Sequence, residues 1–178
     1  MPVTIRRAMA DDQSAIDVLV HSERLNPIGI AWPNFVVAID EGALVGAVQI
    51  RKHKDGSREL ASLVVHASRR GHGVAARLIE ALLAGEAGPI FVITGRVRAA
   101  YFAQWGFRPM DRRHAPGPVK LNYYMGCSAG MFAVLQRRPI NRLVILSREP
   151  AARVSEESAP AKSAALGQEL LQLPDIAS

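Results

Sequence analysis

The sequence predicts a mixed α/β domain with a central, mostly antiparallel sheet flanked by helices. Three observations predict it. Short strand-like segments follow one another through tight turns between residues 35 and 66, and helical patterns lie on both sides of them. A strand also runs through a glycine-rich loop straight into a helix near residue 73. With 178 residues, 49% of them hydrophobic, the chain can close one sizeable core.

The first elements are a short strand and a helix. Val3 to Arg6 can form the strand, and Asp11 or Asp12 then offers an N-cap for an amphipathic helix. The segment from Asn26 to Asn34 holds two prolines and a glycine without clear periodicity. It is therefore predicted as an irregular loop.

Three strands then follow one another as an antiparallel meander. The turn signals are Glu41-Gly42 and Asp55-Gly56, and each stands between two β-rich runs. The predicted strands are Phe35 to Ile39, Leu44 to Arg51 and Leu60 to His66.

Helices and strands alternate after the meander. Apolar residues that follow Gly73 at helical spacing predict an amphipathic helix ending near Gly85. Pro89 then introduces Ile90 to Ile93, an apolar run suited to a buried strand. A further helix follows, and Gly106 can terminate it.

The last third of the chain is less regular. Phe107 to Met110 is predicted as a strand, and Leu121 to Gln136 as mixed helical patterning broken by Gly126 and Gly130. Leu143 to Ser147 is the final predicted strand. We therefore expect one domain over residues 1–148, followed by an Ala- and Ser-rich loose tail over residues 149–178.

Composition narrows the classes of function. The net charge of +6 favours anionic partners, although arginines scattered over solvated faces explain it equally well. A single cysteine excludes an internal disulfide framework and any multi-thiolate zinc site. The histidine spacing indicates no metal, and the arginine pairs lack the interleaved aromatics typical of nucleic-acid binding. Low cysteine content also fits a reducing, cytoplasmic setting. No long apolar run is present, so we expect neither export nor membrane spanning.

The strongest local signal is the segment Arg70-Gly71-His72-Gly73-Val74-Ala75 between a strand and a helix. Its glycines let the backbone approach a ligand, and N–H groups at the helix N-terminus point outward. With Arg69, Arg70 or Arg77 nearby, the loop is suited to a pyrophosphate. By itself a Gly-x-Gly pair also fits a tight turn. The Lys-Ser/Thr pair of P-loops and the acidic residue of the dinucleotide fingerprint are both lacking.

This loop resembles the signature of the GNAT superfamily of acetyl-CoA-dependent N-acetyltransferases, Gln/Arg-x-x-Gly-x-Gly/Ala. Arg70 to Ala75 match it after the strand Leu60 to Val65. A second family feature, an aromatic-rich helix running into Gly-Phe, is matched by Tyr101-Phe102-Ala103-Gln104-Trp105-Gly106-Phe107. The resemblance covers residues 3–147 and is strongest over 58–107. It implies the GNAT fold, with a splayed sheet of six to seven strands.

The resemblance also implies how a cofactor binds. The pantetheine arm of acetyl-CoA is expected to pair like an added strand with Leu63, Val64 and Val65, and the pyrophosphate to lie on the loop from Arg70 to Ala75. A primary amine then attacks the thioester carbonyl through a tetrahedral intermediate and expels CoA thiolate.

Two residues are candidates for the proton transfers. Glu59 matches where several family members hold their general base, although a structural carboxylate paired with Arg58 or a lysine fits the position equally well. Many relatives place a tyrosine four residues before the Gly of Gly-Phe, where this chain has Phe102. Neighbouring helix residues project about 100° apart. Either Tyr101 therefore reaches the thiolate from a shifted position, or bulk water protonates it.

The acceptor remains open at this level. The pair Tyr101-Phe102 and the segment Ser57 to Leu63 resemble amino-acid N-acetyltransferases related to N-acetylglutamate synthase, which favours a small-molecule amine. Arg24, Asn26 and Trp32 are candidates for lining the acceptor site. The alternatives are a protein N-terminus or lysine as acceptor and, more distantly, a non-catalytic module that senses CoA or associates with nucleic acid. Homodimer formation is also open.

Overall fold

A computed structural model describes residues 2–23, 29–135 and 142–149 of the chain. Within these ranges, seven strands form one sheet and four α-helices flank it. The strands are β1 (Thr4–Arg7), β2 (Phe35–Asp40), β3 (Ala43–Lys52), β4 (Arg58–Val65), β5 (Ile90–Gly95), β6 (Arg108–Pro109) and β7 (Leu143–Arg148). The helices are α1 (Gln13–Ser22), α2 (Val74–Leu83), α3 (Arg96–Phe102) and α4 (Gly117–Leu135).

The sheet has the strand order β1-β2-β3-β4-β5-β7-β6. Strands β1 to β4 are antiparallel neighbours, as are the pairs β5–β7 and β6–β7. The pair β4–β5 is parallel. The predicted mostly antiparallel mixed α/β sheet is therefore confirmed, and the meander of β2, β3 and β4 forms its centre.

Helices cover both faces of the sheet because side chains of a strand alternate between its faces. Helix α1 packs on one face and α2 on the other, and each face has its own buried cluster. The α1 cluster contains Ile16, Leu19, Val20, Phe35, Val37, Ala47 and Val64. The α2 cluster contains Leu78, Ile79, Leu82, Val36, Val48, Ile50 and Leu60.

The expectation of a broken helix near residue 126 is wrong, because α4 runs continuously over nineteen residues. An interior glycine costs a helix only about 1 kcal/mol, which tertiary packing can offset. Gly126 has such a packing role: a Cβ there would lie 2.8 Å from Cδ1 of Leu143 on β7. The glycine thus lets α4 lie close against the sheet.

The other boundaries differ less from the expected ones. The strand expected over Phe107 to Met110 pairs only at Arg108 and Pro109, at the sheet edge, where a proline without an N–H is tolerated. Most of the expected tail, from residue 150 onward, lies outside the described residues, so the domain boundary at 148 stays a prediction. Within the described ranges, no helix has both the length and the hydropathy needed to cross a bilayer.

Candidate functional site

A cleft opens between β4 and β5 because these parallel strands pair only over two residues. Glu59 is opposite Phe91 and Leu60 is opposite Val92, and the two fully described strands form no further pair. Beyond Leu60 they diverge around a cleft of about 760 Å³, a volume suited to a small ligand or cofactor arm. The splayed sheet implied by the sequence resemblance is present.

Strand β4 forms one wall of the cleft with its unpaired edge. Backbone N–H and C=O groups on such an edge can pair with an extended ligand as with an added strand. Leu63, Val64 and Val65, expected to bind the cofactor arm, all line the cleft. The lining comprises residues 60–65 of β4, residues 92–95 of β5, Val97, Arg98, Tyr101 and Phe102 of α3, and Glu23, Arg70, Ala75 and Leu143.

A β-bulge interrupts β4 inside this wall. The register between β3 and β4 shifts by one residue between Ala47 and Gln49, and Ser62 takes a left-handed φ of 52°. Because of the extra residue, Leu60 packs on the α2 face whereas Val64 packs on the α1 face. The Ser62 hydroxyl accepts a 3.0 Å hydrogen bond from Nε2 of Gln49, which is fully buried.

The glycine loop at the start of α2 is open. Gly71 and Gly73 have φ values of 80° and 74°, and a Cβ at either position would meet nothing within 4 Å. The N–H groups of the first turn of α2, which begins at Val74, have no acceptor inside the helix. Glycines and free amides in this arrangement are suited to an anion. The Val74 side chain itself is buried in the core, and Nδ1 of His72 bonds to the Arg70 carbonyl oxygen at 2.9 Å.

The three arginines near the loop all have protein partners. Arg69 pairs with Asp40, and Arg77 donates to the carbonyl oxygen of Val3 at 2.8 Å. Both therefore serve the fold. Arg70 lines the cleft, where it forms an ion pair with Glu23. Of these three cations, Arg70 is the one placed to attract a phosphate in the cleft.

Glu59 lies just before the closed end of the cleft and is only 4% exposed. Its Oε2 accepts a 2.8 Å hydrogen bond from Nδ2 of Asn122 and lies 3.0 Å from Nε2 of His53. Its Oε1 lies 3.5 Å from Nη1 of Arg51. The carboxylate does not itself line the cleft, but its neighbour Leu60 does.

The partners of Glu59 differ from those the sequence suggested. Arg58, the neighbouring residue, points to the opposite side of the strand and pairs with Glu86 at 2.9 Å. The partners instead come from β3, the residues after it and α4. The proposed catalytic role of Glu59 stays a prediction.

Tyr101 and Phe102 both line the cleft from α3. The Tyr101 ring makes edge-to-face contacts with Phe102 and Trp105, at centroid distances of 5.8 and 5.0 Å. Burial, helped by the charge of Glu80, raises the pKa of the Tyr101 phenol. At neutral pH the phenol therefore holds its proton and is able to donate it.

Of the three residues expected to line the acceptor site, Arg24 and Asn26 lie outside the described residues. Trp32 is 36% exposed, and its backbone N–H donates to Oε1 of Gln13 at 2.9 Å. It is absent from the cleft lining, so its acceptor role stays a prediction.

Sequence reasoning missed Gln49, Ser62 and Asn122. A signal for Gln49 existed, because polar residues at positions 49, 51 and 53 alternate with apolar Val48 and Ile50. Such alternation normally marks a solvent-exposed face, but the α1 side of this sheet is covered. No comparable signal in the sequence marks Asn122. Within the described ranges, no group of three or more His, Cys, Asp or Glu side chains is placed to hold a metal ion.

Comparison with known proteins gives one family match. Residues 31–109 match the family model described as acetyltransferase (GNAT) domain. Among curated proteins, none matches the sequence.

Solved structures share the fold at low sequence identity. N-acetylglutamate synthase from Neisseria gonorrhoeae, complexed with coenzyme A and N-acetyl-glutamate, is similar at a TM-score of 0.64 and 17% identity over 85% of this chain and 36% of that chain. Rv2747 from Mycobacterium tuberculosis, in complex with CoA and NLQ, is similar at a TM-score of 0.62 and 20% identity, over 83% of this chain and 99% of that chain. Arabidopsis thaliana Naa50, in complex with the bisubstrate analogue CoA-Ac-MVNAL, is similar at a TM-score of 0.54 and 14% identity, over 84% of this chain and 99% of that chain. The chain thus spans about a third of the length of the Neisseria synthase structures, 36% and 33% in the two complexes.

Proposed function

We propose, from the match of residues 31–109 to the acetyltransferase (GNAT) domain model, that the protein transfers acetyl from acetyl-CoA to the primary amine of a small molecule such as an amino acid. The observation that carries the proposal is the cleft between β4 and β5. This cleft joins the unpaired edge of β4 to the open glycine loop at the start of α2.

The cleft and the loop fit the two chemically distinct parts of acetyl-CoA. The unpaired edge of β4 offers peptide groups to the amides of the pantetheine arm. Gly71, Gly73 and the first turn of α2 offer N–H groups to the pyrophosphate, and Arg70 adds a positive charge. Neighbours from Neisseria and Mycobacterium complexed with CoA support this assignment.

The chemistry requires a base for the amine and an acid for the departing thiolate. Glu59 is our candidate base. Since its carboxylate lies outside the cleft lining, the amine proton reaches it through water. Tyr101 is our candidate acid, since it lines the cleft and its raised pKa keeps the phenol protonated.

The position of α4 favours a small acceptor over a protein. This helix lies in the connection between β6 and β7, packs against β5 and β7, and reaches β4 through the bond from Asn122 to Glu59. It therefore covers the sheet face beside the candidate base and leaves less room for an extended peptide. The Neisseria synthase, whose structure contains N-acetyl-glutamate, supports the same choice.

A second candidate is acetylation of protein N-termini. The fold likeness to Naa50 bound to a peptide-bearing bisubstrate analogue favours it. The two candidates use the same cofactor site and differ in the acceptor.

Two measurements test the proposal. Acetyl-CoA at about 100 times its Kd is expected to stabilise the fold by about 2.7 kcal/mol, raising Tm by roughly 5–10 °C. Thiol release from acetyl-CoA is then followed over a panel of free amino acids and N-terminal peptides. Turnover with amino acids supports the proposal, and turnover with peptides alone supports the second candidate. Absence of both stabilisation and thiol release would contradict enzymatic activity of either kind.

A further inference from the structure

We propose that the hydroxyl of Ser62 donates a hydrogen bond to the carbonyl oxygen of the acetyl thioester, and that Gln49 orients this hydroxyl. The inference rests on the proposed function, because it assigns a role to a residue of the same cleft. Ser62 thereby stabilises the negative charge that develops on this oxygen during attack by the amine.

Ser62 has an unusual backbone conformation. A left-handed φ is unfavourable for a residue with a side chain, and Ser62 adopts one inside a central strand. The other described non-glycine residue with positive φ, Glu41, lies in the tight turn with Gly42 between β2 and β3, where such values are normal. A left-handed residue occurs in some β-bulges, but glycine is the usual residue there, so a serine is strained at this position. Such strain is typical of functional positions.

Ser62, which lies at the bulge, is one of the residues that line the cleft. Bulges next to active sites commonly redirect one side chain, and this bulge leaves Ser62 lining the cleft while its hydroxyl reaches Gln49 on β3. Of the six β4 residues in the lining, Ser62 alone has a side-chain hydrogen-bond donor. The remaining five are Leu60, Ala61, Leu63, Val64 and Val65.

The hydrogen bond from Gln49 determines what the hydroxyl can do. Nε2 of Gln49 donates to Oγ of Ser62, so the oxygen is the acceptor and its own hydrogen is left for another partner. Among the described residues, Oε1 of the fully buried Gln49 has no hydrogen-bond partner. Burying an amide that makes one side-chain bond is unfavourable for stability, so its retention points to a role in orienting Ser62.

The position of Ser62 along β4 matches the expected position of the thioester. Ser62 lies two residues, or about 7 Å, beyond Leu60, where pairing with β5 ends. It lies about 10 Å before Val65, on the side from which the chain continues to the anion site. An arm anchored at the glycine loop and extended along β4 therefore brings its far end close to Ser62.

Ser62 is not consumed during transfer of the acetyl group to the amine. The amine nitrogen forms a bond to the carbonyl carbon, and the π electrons of the C=O bond move to oxygen. The Ser62 hydrogen bond strengthens as this oxygen becomes negative. The attacking nitrogen gives its proton to Glu59 through water. The oxygen then restores the C=O bond, the C–S bond breaks, and CoA thiolate leaves and takes a proton from Tyr101. Ser62 keeps its hydrogen throughout.

The first test reads the hydrogen bond directly. Acetyl-CoA labelled with ¹³C at the carbonyl is bound to the wild type and to Ser62→Gly, and the carbonyl stretch is measured by isotope-edited infrared spectroscopy. Glycine removes the hydroxyl but tolerates the left-handed φ, so the variant is expected to fold. We expect the stretch at lower frequency in the wild type than in the variant. Equal frequencies in the two bound complexes would overturn the proposal.

The second test measures turnover with the best amino-acid acceptor of the panel. We expect Ser62→Gly to lower kcat about 100-fold, with KM for acetyl-CoA unchanged within about twofold. Gln49→Met, which leaves the hydroxyl present but unoriented, is expected to lose about tenfold in kcat. Unchanged kcat in Ser62→Gly would refute the role of Ser62 while leaving the proposed function intact. A wild type that binds no acetyl-CoA would overturn both.

Discussion

Nδ2 of Asn122 donates a 2.8 Å hydrogen bond to Oε2 of Glu59 across a separation of 63 residues. This bond ties the helix between β6 and β7 to the start of β4. Together with Arg51 and His53, it fixes a buried carboxylate in one orientation. A fixed carboxylate near the closed end of the cleft is suited to receive a proton relayed by water.

We expect Glu59→Gln to lower kcat by about 10² to 10⁴-fold, the contribution typical of a general base, with the affinity for acetyl-CoA nearly intact. Steady-state thiol release measures kcat, and calorimetric titration measures the affinity for acetyl-CoA.

Glu86→Gln is the matched control, because Glu86 is also a carboxylate in an ion pair but lies outside the cleft lining. Asn122→Ala removes one hydrogen-bond donor from Glu59. Its kcat is expected to lie between those of Glu59→Gln and Glu86→Gln. If Glu59→Gln turned over acetyl-CoA as fast as Glu86→Gln, Glu59 would be a structural carboxylate only.

Tyr101 is the candidate acid for the departing thiolate. Since burial raises the pKa of its phenol, the group stays protonated through neutral pH and can protonate the thiolate. We expect Tyr101→Phe to lower kcat about tenfold or more at neutral pH without weakening acetyl-CoA binding. Tyr124→Phe, an exposed tyrosine on α4 outside the cleft lining, is the control. Equal turnover of the two variants would assign thiolate protonation to bulk water.

Much of the fold followed from the sequence, for identifiable reasons. The strands of the meander are bounded by turn residues, and α2 has a clear apolar face, so local chemistry alone placed them. Helix α4 was misjudged because its glycines suggested breaks, whereas the space that Gly126 provides is needed by a residue distant in sequence, Leu143. Local propensity carries no information about such a contact.

The sequence likewise predicted one part of the candidate site and missed another. The anion loop is a contiguous segment, so its glycines and helix start were readable from the sequence. The environment of Glu59 brings together β3, the residues after it and α4, and only the folded sheet makes them neighbours. The role of Gln49 depends on a bulge, which no sequence pattern revealed.

We expect Gly73→Val to weaken acetyl-CoA binding at least tenfold, because a side chain would enter the space open to the phosphates. Gly56 supplies a matched control. It also has a left-handed φ, of 82°, and open space around its Cβ position, but it lies in the turn between β3 and β4. Gly56→Val imposes a similar backbone strain, so calorimetry should show unchanged affinity there. Equal loss in both variants would mean that strain alone weakens binding.

Glu23 forms an ion pair with Arg70 at the cleft and places a negative charge beside the expected phosphates. We expect Glu23→Gln to tighten acetyl-CoA binding roughly three- to tenfold at low salt, since Arg70 is released and repulsion is removed. The gain should shrink at high salt because these charges are exposed. Glu86→Gln, which also breaks an ion pair but lies outside the cleft lining, is the control. Weaker binding by Glu23→Gln would show that the pair organises the loop.

Arg6 and Asp12 determine one part of the dependence of stability on pH. The Arg6 guanidinium donates to both carboxylate oxygens of Asp12, at 2.6 and 2.9 Å, and lowers the pKa of that carboxyl, helped by the N–H of Met9. The folded protein therefore binds this proton less tightly than the unfolded chain. The stabilisation is fully present above the unfolded pKa of about 3.9 and is lost as pH falls through the lower folded value.

We accordingly expect Asp12→Asn to lower the free energy of unfolding by about 1–2 kcal/mol at neutral pH. The difference from the wild type should shrink as pH falls below about 4, because the unfolded chain then binds the proton first. The loss is complete below the lower folded pKa, where the wild-type carboxyl is protonated in both states. Urea unfolding across this range measures it. Asp11→Asn, an exposed neighbour outside the ion pair, is expected to change stability by less than about 0.5 kcal/mol. A difference between Asp12→Asn and the wild type that persisted unchanged at acid pH would assign the stabilisation to uncharged contacts of this side chain.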